Sequence, residues 1–414
     1  MRKKLFLITA LIALVSGLIL VGCAKPAPAP APAPAPTPPM TLDIGVTSPL
    51  TGPPAFLGGQ IKDAILMIIE DQNAQGGITI AGQNYRLNAI IRDTKHNIIE
   101  GKNIAEELVF EKKVKVIAGV FIADGVGVQN ITEPNKVMLF GTTPALSGMI
   151  SSNKPYSFWC APTIPQMTYN PLAYIHEFYP EAKTVYCIQA DIPTGPLFAA
   201  ATEKTCKLLD LTYLGYEKVP TTTKDFTPII ARVLLHNADI IDTGGVGGSM
   251  GGLGALLIKQ LREGGFSGLI SIPAFPPADV MLEVVPPKSL DKVVGYYADI
   301  DYPIVDPKYR DVLARFKEKF NVSAVDIVPY YYNVMKAFFE FLNTQDTMDT
   351  TTWMESFAQY RWQGLYEFES HWVGEPQDGI NRRVVCAPWV SEYKNGKPVT
   401  EFASPIPEEF FVTE

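Results

Sequence analysis

The feature that most limits how this chain can fold is a rhythm that runs twice. From Thr41 onward, apolar strand-like runs alternate with helix-like ones. "LDIGVTS" reads as a strand. Beyond it, Ile61, Ala64, Ile65, Ile68 and Ile69 follow the i, i+3, i+4, i+7, i+8 spacing of a helix with one buried face, stopped at Gly76-Gly77. "YRLNAIIRD", "VKVIAGV" and "VMLFGTT" continue as strands, with a helix over "IEGKNIAEELVFE" between the first two. This order implies a mostly parallel sheet with helices on both faces. After "YSFWCAPT" the pattern restarts. "TVYCIQ", "LTYLGYEKV", "ADIIDTG" and "LISIP" read as strands, separated by helices over "GPLFAAATEKTCKLLD", "FTPIIARVLLHN" and "LGALLIKQLREGG". The chain is therefore expected to form two α/β lobes of similar build without sequence repetition. "VVGYYADIDYP" reads as a connecting strand and "PKYRDVLARFKEKF" and "YYYNVMKAFFEFLNT" as helices. "RRVVCAPWVSEYKNGKPV" reads as a hairpin turning at Asn395-Gly396.

Ahead of this pattern lies a different kind of sequence. Arg2, Lys3 and Lys4 precede an apolar run from Leu5 to Leu20, the layout of a secretory signal peptide. The run falls short of the about 20 apolar residues that a membrane-spanning helix needs. Leu20-Val21-Gly22-Cys23 looks like a bacterial lipobox, so residues 1–22 are expected to be cleaved and Cys23 to carry lipid. The Ala-Pro alternation that follows favours extended polyproline II. Residues 23–40 would thus be an anchor and a tether, able to hold a domain roughly 40 Å from a membrane. The chain is expected to be exported and anchored on the periplasmic or extracellular side.

The formal charge of −8 becomes −11 once the three basic residues of the leader are lost. No basic run survives, which argues against a nucleic-acid partner. Cys160, Cys187, Cys206 and Cys386 show no C-x-x-C spacing. An exported chain permits disulfides, but Cys187 and Cys386 lie in strand-like runs that favour buried free thiols, and no pairing is assigned. The four histidines are scattered, with no H-E-x-x-H and no cysteine/histidine cluster, so neither a zinc site nor any other cofactor is expected.

One motif argues for catalysis. Gly247-Gly248-Ser249-Met250-Gly251 is a G-x-S-x-G pattern between a strand and a helix, the setting of a nucleophile elbow. Acids such as Asp326, then His371, follow in the required chain order. Against it, no HGGG-type oxyanion loop precedes the serine, and seven of the eleven residues from Gly244 to Gly254 are glycine, so the pattern arises easily. A dinucleotide fingerprint fails in both registers, because Met250 and Leu257 stand where the third glycine belongs. The expectation is a protein that is not an enzyme.

The segments in order carry a resemblance. "DIGVTSPLTGPPAFLGGQIKDA", "IEDQNAQGGI", "VKVIAGV", "TTPAL" and "KDFTPIIARV" together resemble the periplasmic leucine/isoleucine/valine-binding proteins, the type I solute-binding partners of ATP-driven (ABC) importers. The resemblance spans Thr41 to about Pro398. It implies two Rossmann-like lobes joined by three crossovers, a Venus-flytrap that hinges shut on a ligand in its cleft. On that pattern the first lobe is 41–159 plus 304–370 and the second 161–292 plus 384–414. It implies a monomeric receptor handing a small molecule to importer membrane subunits. A ligand-binding sensor subunit is a further reading, since this fold also serves in receptors.

Carried over residue by residue, the resemblance also implies a ligand site. Ala123 stands where the family offers a serine to the ligand carboxylate, with Asp124 beside it. Thr142, with Thr143 next, falls on the following loop's threonine. Leu57 and Thr194 replace family tyrosines, Trp159 lies at the first crossover, and Tyr330 falls near the apolar end of the pocket. Thr142 would otherwise simply cap its turn, and Trp159 and Tyr330 would be core. Gly247 and Ser249 lie in the second lobe's cleft loop, where missing side chains leave room for a ligand. Ser249 occupies the place of the family glutamate that binds an α-ammonium. A neutral hydroxyl cannot replace a buried carboxylate against a cation. The expected ligand is therefore a small carboxylate with an apolar or aromatic body and no α-ammonium, unless Asp191 or Asp242 substitutes. The alternative is a branched-chain or other apolar amino acid.

Overall fold

A computed structural model describes residues 40–403, apart from 53, 122–123, 143–147, 193, 248–251, 274–277, 296–305, 323–324, 326, 366–368 and 386–388. The expected leader, Cys23 and the tether lie outside the described residues, as do Ala123, Thr143, Ser249, Asp326 and Cys386.

Both expected sheets are present. The first contains β1 (Met40–Ser48), β2 (Ile78–Ile80), β3 (Gln83–Asp93), β4 (Val116–Val120), β5 (Met138–Gly141), β6 (Ser157–Trp159), β14 (Trp372–Val373) and β15 (Arg383–Val384), in the order β14-β15-β6-β5-β4-β1-β3-β2. The second contains β7 (Thr184–Ala190), β8 (Thr212–Val219), β9 (Ile240–Asp242), β10 (Leu269–Ile272), β11 (Val293–Gly295), β16 (Trp389–Lys394) and β17 (Lys397–Ala403), in the order β17-β16-β11-β10-β9-β7-β8. A two-stranded pair, β12 (Trp362–Gln363) with β13 (Glu369–Ser370), stands apart.

The two sheets share one plan. β1 pairs in parallel with β3 on one side and β4 on the other. β7 does the same with β8 and β9. The strand order reverses at β1/β4 and again at β7/β9. Ligands of open α/β sheets bind at such switch points, beyond the carboxyl ends of the strands.

Local chemistry explains the elements. The helix Ala55–Ala74 buries Ile61, Ala64, Ile65, Ile68 and Ile69, the five residues whose spacing marks its inner face. Asn97 caps Ile98–Glu106 by accepting from the N–H groups of Ile99 and Glu100. Thr163 and Gln166 form a capping box at the start of Ile164–Phe178. Asn395 and Gly396 both take left-handed backbone, φ 54° and 75°, as the tight β16–β17 turn requires. One helix departs from expectation. The run expected to be helical through Glu111 widens to a π-turn over Glu107–Glu111, closed by Val114 N–H on the Leu108 carbonyl. The helix Thr350–Phe357 was not foreseen at all.

The first lobe's core is aromatic. Phe140, Phe158, Phe338, Phe357, Trp362 and Trp372 pack ring against ring. Each such side chain contributes about 1.5–3 kcal/mol by leaving water. The second lobe's core is mainly aliphatic, around Ile188, Ile241, Leu257, Ile258 and Ile270. Cys160, Cys187 and Cys206 are buried and form no disulfide among the described residues. Among the described residues no helix is long and apolar enough to cross a membrane.

Candidate functional site

The carboxyl edge of the first sheet is assembled around one carbonyl. Thr142, just past β5, sends both its N–H (2.9 Å) and its hydroxyl (3.3 Å) to the Val120 carbonyl at the end of β4. Tyr331, from the helix Val328–Leu342, brings its hydroxyl to the same oxygen at 3.3 Å. Thr142 is buried, and its hydroxyl staples two strand ends together. Trp159 ends β6 and is fully buried against Met149. Its ring presses on Gly141, where a Cβ would come within 2.6 Å of the indole. The Trp159 Nε1–H has no hydrogen-bond partner among the described residues.

Asp124 opens the helix Gly125–Thr132, four residues beyond Val120. It has no exposed surface, and neither carboxyl oxygen has a hydrogen-bond partner among the described residues. Its near neighbour is His96, whose Nδ1 stands 3.7 Å from Oδ1, beyond hydrogen-bond reach. No motif in the sequence singles out His96. Lys95 and His96 both adopt left-handed backbone, φ 51° and 55°, and this turn sets the imidazole against the Phe121 ring with centroids 5.4 Å apart. Asp93 steadies the turn by accepting from the N–H groups of Lys95 and Leu50 and from the Thr51 hydroxyl. Burial pushes the Asp93 carboxyl up, but these bonds outweigh it and hold it below its ordinary value.

The second sheet's edge is built differently. Asp242 ends β9 fully buried, yet Ser271 Oγ–H donates to Oδ2 at 2.9 Å and Gly244 N–H to Oδ1 at 3.0 Å. Burial pushes this carboxyl up to about 7, partly offset by Ser271, Gly244, Gln189 and Thr202. Gln189, at the end of β7, accepts from Gly245 N–H at 3.0 Å. Gly244 has φ 36°, and a Cβ there would strike the Gln189 amide. The first glycines of the loop are therefore needed for backbone approach, and Gly247 closes the short helical turn Gly244–Gly247.

The remaining expected residues lie on several elements. Leu57 and Tyr330 are half-buried against the first lobe's core. Thr194 precedes the helix Gly195–Leu208 without a side-chain cap bond. Of the two acids that were candidates to substitute at Ser249, Asp191 is exposed and Asp242 is occupied by protein donors. His371 lies between β13 and β14, its Nδ1 3.2 Å from the Glu369 carbonyl. No group of three or more His, Cys, Asp or Glu positioned to hold a metal occurs among the described residues.

Two mixed, mostly parallel sheets, each with polar groups gathered at its switch point, define a two-lobed α/β protein of the ligand-binding type. The chain belongs to the periplasmic binding protein family, whose model matches residues 41–378. A "Leu/Ile/Val-binding protein homolog 2" of Brucella abortus is 27% identical over 227 residues, 54% of this chain and 57% of that protein. The chain thus matches little more than half the length of that relative. Solved structures agree in fold. A solute-binding protein of an ABC transporter from Rhodopseudomonas palustris, in complex with 3,4-dihydroxybenzoic acid, has a TM-score of 0.71 at 19% identity, covering 88% of this chain and 97% of that one. A branched-chain amino-acid transporter binding protein from Streptococcus pneumoniae, in complex with isoleucine, has 0.71 at 16% identity, covering 88% and 98%.

Proposed function

We propose that this chain is an extracytoplasmic receptor that binds a small organic acid with an apolar or aromatic body and passes it to the membrane subunits of an ABC importer. On this reading it is held to the membrane through a lipid on Cys23 and does no chemistry itself. The observation that carries the proposal is the pairing of two switch-point edges in one family fold, one built around Val120, Thr142 and Trp159 and the other around Gln189, Asp242 and the glycine loop. The aromatic acid bound by the R. palustris protein supports the ligand class. So does the state of Asp242, which already satisfies Ser271 and Gly244 and has no need of an ammonium partner.

A branched-chain amino acid is the second reading, favoured by the Brucella relative's name and the isoleucine held by the S. pneumoniae protein. A thermal-shift screen of the purified chain against aromatic acids, short aliphatic acids and amino acids separates the two. A ligand at 100 times its Kd adds about 2.7 kcal/mol to the folded state, so the true class raises Tm by several degrees. Stabilisation by leucine or valine alone would replace the first reading with the second.

A further inference from the structure

The carboxyl edge of the first sheet holds more unmet hydrogen-bonding capacity than a finished core tolerates. Thr47 near the end of β1, Thr94 just past β3, Asp124 past β4 and Trp159 at the end of β6 each bury a polar atom that has no partner among the described residues. These four positions follow one edge of one sheet, the edge where a switch-point ligand would lie. Asp124 is the extreme case, with two carboxyl oxygens and up to four lone pairs unused. Leaving such a group without a donor costs several kcal/mol.

We infer that Asp124 is a ligand-recognition residue, whose carboxyl accepts a hydrogen bond from a hydroxyl carried by the bound acid. The inference rests on the receptor reading above and narrows it from organic acids to hydroxylated ones. A second carboxylate placed here by the ligand would meet like charge. A hydroxyl meets an acceptor.

Access follows from the cover. His96 is the side chain within 4 Å that pairs with Asp124, and 36% of it is exposed while Asp124 has no exposed surface. The ring is carried by two consecutive left-handed residues, a backbone state that costs non-glycine residues about 1–2 kcal/mol each. It rests on Phe121 without a strong bond to Asp124. Rotation of this imidazole would remove the ring that stands 3.7 Å from Oδ1.

The test is titration calorimetry on the purified full chain in mild detergent. The compounds are benzoate with 3- and 4-hydroxybenzoate, hexanoate with 6-hydroxyhexanoate, and leucine. The wild type is expected to prefer a hydroxylated acid over its parent at least tenfold. Asp124→Asn is expected to shrink that preference about fivefold, and Asp124→Val to abolish it. Equal affinity for hydroxylated and parent acids would overturn the inference and assign the empty valences to ordered water. Survival of the preference in Asp124→Val would overturn it too. Leucine binding that is lost in Asp124→Asn would make Asp124 an ammonium partner and overturn the hydroxyl assignment. Silence from every compound would overturn the receptor reading, and the inference with it. Should Asp124→Val fail to fold, the wild-type preference decides.

Discussion

Asp124 and Asp242 occupy matching places, one at each switch point, and both are fully buried. Asp242 receives a serine hydroxyl and a backbone N–H. Asp124 receives no protein hydrogen bond among the described residues. The difference separates two uses of a buried acid. In the second lobe the carboxyl closes the structure. In the first it is left without a donor among the described residues, as the proposed recognition role requires.

The largest expected effect is on the closed side. Asp242→Ala strands Ser271 Oγ and Gly244 N–H, and urea unfolding is expected to show a loss of about 3–4 kcal/mol. An unchanged midpoint would erase the contrast. The pH response comes next. The Asp242 carboxyl is raised in the folded state to about 7, well above its unfolded value. The folded chain therefore binds the extra proton. The stabilisation is complete below about pH 4 and is lost as pH climbs to about 7, at no more than about 1.4 kcal/mol per pH unit. Asp242→Asn keeps an acceptor for Gly244 and a donor for Ser271, so its stability should slope less over that window than the wild type's. Parallel profiles would show that the proton sits elsewhere.

Gly141→Ala tests the floor beneath Trp159. The added methyl meets the indole at 2.6 and 2.8 Å, and the ring is too buried to yield freely. A loss of about 1–2 kcal/mol is expected, with weaker ligand binding if the ring shifts. The smallest effect belongs to the open side. Asp124→Asn removes no hydrogen bond seen among the described residues, so ligand-free stability should move by less than about 1 kcal/mol. A loss as large as that of Asp242→Ala would make the two acids equivalent.

Much of the fold was legible in the sequence because its signals are local. The five-residue stripe on Ala55–Ala74, the strand runs at β1, β4, β7 and β10 and the Asn395-Gly396 turn each announce themselves within a dozen residues. What escaped depends on distant partners. Arg383–Val384, read as the start of the Asn395-Gly396 hairpin, instead pairs with β6 and with Trp372–Val373 in the first sheet, and the hairpin is confined to Trp389–Lys394 and Lys397–Ala403. The site was readable to the level of loops, not of atoms. Tyr330 and Tyr331 are adjacent tyrosines about 100° apart on a helix, and it is Tyr331 that reaches the Val120 carbonyl. Asp242 stood as a free acid until Ser271, 29 residues on, was seen bonded to it. His96 reaches Asp124 through a left-handed turn with no glycine to signal it.

The parallel pairing of β6 with β15 has a mechanical side. Trp159 N–H donates to the Arg382 carbonyl at 2.8 Å, and Arg383 registers opposite Trp159. Past Trp159 the chain continues into the helix Ile164–Phe178 and β7, and past Val384 into β16. Two of the passages out of the first sheet therefore leave it side by side, from neighbouring strands. Their starting points are tied by the Trp159–Arg382 bond, so neither can slip along its strand without breaking it.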